Sequence, residues 1–205
     1  MERVRAVIFD CDGVMFDTAS ANRSYYNHLL STFGQPELSA PQFDFVHMHT
    51  VDEALAHLFP DPSILAAVQA YRASLDYRPY LRLLTIEPGL KPLLQRIRPS
   101  HKTAVATNRT DTMERLLHVH GLEEAFDMVV RASDVARPKP HPDSLLRILE
   151  GFELTPREAV YIGDSSVDQA AAAAAGVALI AYRNTALKAC HHIEHLLEIV
   201  TLLDL

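Results

Sequence analysis

The chain has 205 residues, enough for one medium domain or a core domain with a small appendage, and a chain this long should bury roughly 70% of its unfolded surface without staples. Hydrophobic residues make up 48% and charged residues 22%, which excludes a disordered chain. Nineteen basic against 26 acidic side chains leave a net charge of −7; this argues against general affinity for nucleic acid or anionic membranes, yet admits a small phosphorylated ligand that needs only local cations.

In chain order, residues 4–9 read as a buried strand, apolar and β-branched, that stops abruptly at Asp10-Cys11-Asp12-Gly13. Residues 18–86 then turn helical. Ala21, Tyr25, Leu29 and Phe33 recur at helical spacing, as do Val51, Leu55, Leu58 and Phe59, and Ile64, Val68, Tyr71 and Leu75. Gly34-Gln35-Pro36 and Pro60-Asp61-Pro62 punctuate them. Further strands are expected at 102–106, 126–130, 159–162 and 177–182, each running into polar residues. Helical patterns lie between them: Met113, Leu116 and Leu117, then Leu145, Leu146 and Leu149. The alanine run at 170–175 reads as a helix face packing close to a sheet, and Ile193, Leu196, Leu197, Val200 and Leu203 as a C-terminal helix begun near His191-His192.

Strands alternating with helices imply an α/β, Rossmann-like parallel sheet with helices on both faces, plus an inserted all-helical unit. The expected division is 1–17 with 86–205 for the core and 18–85 for the insertion, with hinges near Asp17-Thr18 and Glu87-Pro88-Gly89. Two cysteines, Cys11 and Cys190, cannot build a disulfide framework or a zinc site, so a reducing, cytoplasmic setting is expected. The apolar stretch after Arg5 soon meets Asp10 and Asp12, so no signal peptide is expected, and the weakly charged run 170–182 is too short for a bilayer.

In parallel sheets, ligands gather outside the carboxyl ends of the strands, where the polar endings fall. Asp10 and Asp12, two apart, could divide labour as nucleophile and general acid/base, or join a third carboxylate around Mg²⁺. Alone, the string reads equally as a solvated Asp-Gly turn. Thr107 and Asn108 offer a hydroxyl and amides to a phosphoryl oxygen; the competing role is a helix start, with Thr110 or Asp111 as the cap. Lys139 sits among Pro138, Pro140 and Pro142, a stiff loop that fixes its aim, in a chain with only four lysines. Asp164 follows Gly163 at a strand tip and suits a metal, while Asp168 in the first helical turn is also explained by the helix dipole.

Taken together, these residues resemble the haloacid dehalogenase-like superfamily. Val7-Ile8-Phe9-Asp10-Cys11-Asp12-Gly13-Val14 resembles its first motif, Ala106-Thr107-Asn108 its second and Lys139 its third. Gly163-Asp164-Ser165-Ser166-Val167-Asp168, continuing to Ala175-Gly176, resembles its fourth. The helical insertion resembles the branch of phosphoglycolate phosphatases and β-phosphoglucomutases. The resemblance implies that Asp10 attacks phosphorus, giving an aspartyl-phosphate, and that Asp12 protonates the leaving group and then activates water. It implies Mg²⁺ held by Asp10, the Asp12 carbonyl and Asp164, with Asp168 supporting. It assigns Thr107, Asn108 and Lys139 to the transferring group, and a small phosphorylated metabolite as substrate.

Within that superfamily, Asp12 and Asp164 argue against dehalogenation, which uses neither a second aspartate nor a metal. The absence of lysine from 18–85 argues against Schiff-base phosphonatase chemistry. Mutases of the branch carry a histidine where this chain has Asn22, so hydrolysis is expected, with a sugar-phosphate mutase as the alternative and a non-catalytic binding protein behind both. Arg109, Asn22 and Arg23 are the candidate substrate contacts, with Tyr26, His47, His49, Arg72, Arg78 and Arg82 behind them. Cys11 is assigned to packing. No nucleic-acid or membrane partner is expected, and the chain is expected to be a monomer or weak homodimer.

Overall fold

The computed structural model describes residues 4–204. They form two compact units, one of residues up to Phe16 together with Ile86 onward, the other Asp17–Thr85. The chain passes between them at β2 (Phe16–Asp17) and β3 (Thr85–Ile86), which pair as a separate two-stranded sheet.

The larger unit is built on a six-stranded, all-parallel sheet. Its strands are β1 (Ala6–Phe9), β4 (Lys102–Ala106), β5 (Met128–Val130), β6 (Ala159–Gly163), β7 (Ala178–Tyr182) and β8 (His191–Ile193), in the order β5-β4-β1-β6-β7-β8. Ala6, Ile8, Ala104, Ala106 and Tyr161 point to one face, packed with α8 (Asp143–Phe152) and α9 (Ser166–Ala175). Ala171, Ala172 and Ala175 are buried there while Ala173 and Ala174 are exposed, so alanine occupies the face where the backbone must come close. Residues of opposite parity, Val7, Phe9 and Val105, are equally buried, so both faces are covered, as all-parallel sheets require. Helix α6 (Leu90–Ile97) buries Leu90, Leu93, Leu94 and Ile97 and packs on β4 and α10 (Glu198–Leu202). Helix α7 (Met113–His120) ends at Gly121 in the left-handed region, φ 61°.

The second unit is all helical: α1 (Ala19–Thr32), α2 (Ala40–Met48), α3 (Val51–Leu58), α4 (Pro62–Ser74) and α5 (Arg78–Leu81). Tyr25, Leu29, Leu55, Leu58, Phe59 and Val68 form its core, with Phe33, Ile64, Tyr71 and Leu75 packed against them. The expected helical sets thus fall on α1, α3 and α4. Their starts are chemically marked: Asp61 accepts from the Ser63 and Ile64 amides, and Thr50 makes a reciprocal box with Glu53. Among the described residues, no helix is long and apolar enough to cross a membrane.

Three expectations are corrected. Residues 191–193 do not begin a helix; they are an edge strand paired with β7, Tyr182 opposite Ile193. The helical spacing after Ile193 arises because a strand end, a turn and the short α10 each bury an apolar residue, the turn being held by Glu198 accepting from the Glu194 and His195 amides. The strand expected at 126–130, β5, begins at Met128, not at 126, because the Asp127 carboxylate takes up the Thr103 amide ahead of it. Thr110 and Asp111 do not cap α7: its first flanking residue is Thr112, whose side chain makes no capping bond.

Candidate active site

Ile8 is the last residue of β1 on the α8/α9 face, and two residues further on the same side comes Asp10, only 6% exposed. The chain then turns sharply. The Met15 and Phe16 amides both donate to the Cys11 carbonyl, and the Gly13 amide to that of Phe16. Gly13 takes φ 83°, and a Cβ there would lie 1.9 Å from Asp164 Oδ2, so only glycine lets the β1 loop approach the tip of β6. Cys11 is fully buried and burial pushes its thiol up, in keeping with packing and not with reactivity.

Lys139 brings the rest together. Its ammonium donates to Asp10 Oδ1 at 2.6 Å, to Asp168 Oδ1 at 2.7 Å and to the Tyr161 hydroxyl at 2.9 Å. The loop that carries it is tied by Asn108, whose Nδ2 donates to the Lys139 carbonyl at 3.0 Å. Asp168 is fully buried in the first turn of α9. Its Oδ2 accepts from the Ser165 hydroxyl and from the Ser165 and Asp164 amides, while Tyr161 donates to its Oδ1 at 2.6 Å. Gly163 permits this proximity, since a Cβ there would lie 2.5 Å from the Asp168 Cβ. Asn184, just past β7, donates from Nδ2 to the Asp164 carbonyl at 2.7 Å.

The electrostatics follow from one cation among three carboxylates. Oxygens of Asp10, Asp164 and Asp168 lie within 4.8 Å of one another. Burial, then Asp168, raises Asp10 well above the usual carboxylate range although Lys139 opposes this. Burial and Asp168 likewise push Asp164 up to about 7. Burial works against the charge on Lys139, yet Asp10 and Asp168 hold its ammonium above its ordinary value. Asp168, although buried, is kept below the usual range by Lys139 and its hydrogen bonds. An all-oxygen, over-acidic donor set of this kind fits a hard divalent cation, which would relieve the repulsion that raises Asp10 and Asp164.

Asp12 is not among the clustered carboxylates; Arg109 takes both its oxygens, at 2.8 Å each. Thr107, 2% exposed at the end of β4, accepts from the Arg109 amide through its hydroxyl. Asp10, Asp164, Lys139, Thr107, Asn108, Asp12 and Arg109 thus all stand at the carboxyl ends of β1, β4, β5 and β6 or in the loops beyond, with Asp168 in the first turn of α9, in one unit. Asn22 and Arg23 belong to the helical unit and are engaged within it, Asn22 Nδ2 with His47 Nδ1 at 3.0 Å and the Arg23 guanidinium over the Phe43 ring at 4.1 Å. Tyr161 and Asn184 were not anticipated. Tyr161 carried a weak signal, as the one residue with a polar tip in an otherwise aliphatic strand.

Comparison with known proteins agrees with this arrangement. The sequence profile described as haloacid dehalogenase-like hydrolase matches residues 7–182. A tyrosine-protein kinase PtkA of Mycobacterium tuberculosis is 30% identical over 178 residues, covering 86% of this chain; the chain spans only 61% of that relative's length. A phosphoglycolate phosphatase of Nitrosospira multiformis is 28% identical over 183 residues, covering 84% of this chain and 80% of that protein. The crystal structure of a HAD-superfamily hydrolase, subfamily IA, from Geobacter sulfurreducens superposes with a TM-score of 0.80 at 39% identity, covering 98% of this chain and 96% of that one.

Proposed function

The chain belongs to the haloacid dehalogenase-like hydrolases, and from that premise we propose that it is a Mg²⁺-dependent phosphatase acting on a small phosphorylated metabolite through an aspartyl-phosphate. The observation that carries this is the Lys139 ammonium held between Asp10 and Asp168 beside Asp164, at the carboxyl edge of the sheet. In this reading residues 1–17 with 86–205 are the catalytic core and residues 18–85 the cap.

Asp10 Oδ attacks the phosphorus while the leaving oxygen departs on the opposite side, and Asp12 supplies that oxygen with a proton. Asp12 then takes a proton from water, which attacks the aspartyl-phosphate and returns Asp10. Lys139, the Thr107 hydroxyl and the Asn108 amide hold the equatorial oxygens, so that little charge must be reorganised as the bond breaks. The Asp10 and Asp164 carboxylates and the Asp12 carbonyl would hold Mg²⁺, with Asp168 behind them; when bound it neutralises the phosphoryl charge and the excess of carboxylates.

Hydrolysis of p-nitrophenyl phosphate with and without Mg²⁺ tests the proposal. Turnover is expected to need the metal and to vanish in Asp10→Asn; unchanged turnover in that variant refutes the mechanism. A second reading, transfer within a sugar phosphate, draws support from His47. Its ring nitrogen lies beside Asn22, the position where similar mutases carry histidine. Glucose 1-phosphate separates the two, since a mutase yields the 6-phosphate and a phosphatase releases inorganic phosphate. A tyrosine acceptor, as in the name of the mycobacterial relative, would share the first half-reaction and release no phosphate.

A further inference from the structure

The side chain proposed as acid and base is held in a grip that must loosen before it can act. Arg109 Nε donates to Asp12 Oδ2 and Nη2 to Asp12 Oδ1, two parallel bonds of 2.8 Å. The fork is itself anchored. Nη1 donates to the Thr112 hydroxyl at 2.9 Å, the Arg109 amide to Thr107 Oγ1 at 3.1 Å, and the Arg109 carbonyl accepts from the Ala132 amide at 3.0 Å. A guanidinium so fixed fits a carboxylate or a phosphoryl group equally well, by the same bidentate geometry.

Burial separates this pair from its neighbour. Lys139 and Asp168 are 3% and 0% exposed at the side chain, a sealed contact, whereas Arg109 and Asp12 are 7% and 17% exposed. The Arg109–Asp12 pair therefore stays within reach of an entering anion. Its place in the chain is also telling: Arg109 directly follows Thr107 and Asn108, the residues assigned to the transferring phosphoryl group. An anion carried on the leaving group, a few bonds from that phosphorus, would meet the guanidinium.

We propose that Arg109 determines specificity by exchanging partners: its ion pair with Asp12 gives way to an anionic group on the leaving side of the substrate. The preferred substrates are then phosphate esters or anhydrides whose leaving group carries a carboxylate or a second phosphoryl group. Exchange leaves an Asp12 oxygen available to the departing oxygen in the same event, so recognition and acid catalysis become one step. The inference rests on the roles given above to Asp10 and Asp12.

The test compares kcat/KM, with Mg²⁺ present, for 2-phosphoglycolate and 2-hydroxyethyl phosphate, which differ in one carboxylate against a hydroxymethyl group. The wild type is expected to favour 2-phosphoglycolate by about tenfold or more, the worth of a charge-assisted hydrogen-bonded contact. Arg109→Met should erase that ratio, and Arg109→Lys should keep part of it. Both substrates are measured on the same sample, so a fraction of misfolded variant does not alter the ratio. An Arg109→Met ratio equal to the wild type's, or a wild type without preference, overturns the proposal while leaving the phosphatase reading intact. Turnover that survives Asp10→Asn, or a wild type that hydrolyses neither compound, overturns the underlying reading and the proposal with it.

Discussion

At the scale of single residues, Lys139 is the side chain on which the site depends. Three carboxylates are gathered by the ends of β1 and β6 and the first turn of α9, and this ammonium, itself 3% exposed, bonds two of them. Its removal differs from that of a surface lysine, because Asp168 would be left fully buried with Tyr161 and Ser165 as its hydrogen-bond donors but no cation. Breaking a buried pair from one side costs about 3–5 kcal/mol. Lys139→Met should therefore lose that much unfolding free energy in a urea titration, as well as phosphatase turnover; a loss under about 1 kcal/mol would show that the carboxylates do not rely on it. Most of this constellation is visible in the sequence, since Asp10, Thr107 and Asp164 each interrupt an apolar run at its end. Tyr161 is not, because its hydroxyl reaches Asp168 and Lys139 only through pairing that sets it opposite Ile8. Nor is the partner of Arg109, since Asp12 lies 97 residues away on another loop.

At the scale of elements, α9 shows how residue size sets a distance. Its alanines face α8 and the sheet at Ala171, Ala172 and Ala175 and face solvent at Ala173 and Ala174. Because the same helix is capped by Ser165 and carries Asp168 in its first turn, any shift of its axis is passed to the Lys139 contact. Ala171→Leu is expected to cost about 1–3 kcal/mol by overpacking, whereas Ala173→Leu on the outer face should stay within about 0.5 kcal/mol. Thermal unfolding of the pair checks this, and equal losses would contradict the packing. Strands and long periodic helices such as α1 and α4 are legible because one face is apolar. Helix α6 is not anticipated, although its leucines are regular, because Pro92 lies within it. The proline sits in the first turn, where the amide it lacks would have no partner inside the helix. Helix α2 buries only Val46, and β8 is a three-residue edge with only Ile193 buried, so neither leaves a periodic trace.

At the scale of the whole molecule, the two ends of the parallel sheet do different work. The carboxyl end gathers the carboxylates and Lys139, at a cost to stability. The amino end is laced by ion pairs that close the fold: Arg5, just before β1, bonds Glu158, just before β6, at 2.9 Å, and Lys102 at the start of β4 bonds Asp127 at 3.0 Å. Glu158 also accepts from the Thr155 amide; that bond first and Arg5 next bring its carboxyl down to about 2. In the unfolded chain it titrates at about 4.3. Between these values the unfolded state binds the proton more readily, so acidification favours unfolding. The stabilisation from Glu158 is therefore complete above about pH 4.5 and fades as the pH falls through about 2. Glu158→Gln should lower the urea midpoint at pH 7 and leave kcat on p-nitrophenyl phosphate unchanged, the substitution lying at the opposite end of the sheet from Asp10. The gap between variant and wild type should narrow steadily as the pH is taken from 4.5 towards 2. A gap independent of pH would mean that Glu158 acts by packing and not by charge, and a fall in kcat would mean that the two ends of the sheet are not separate.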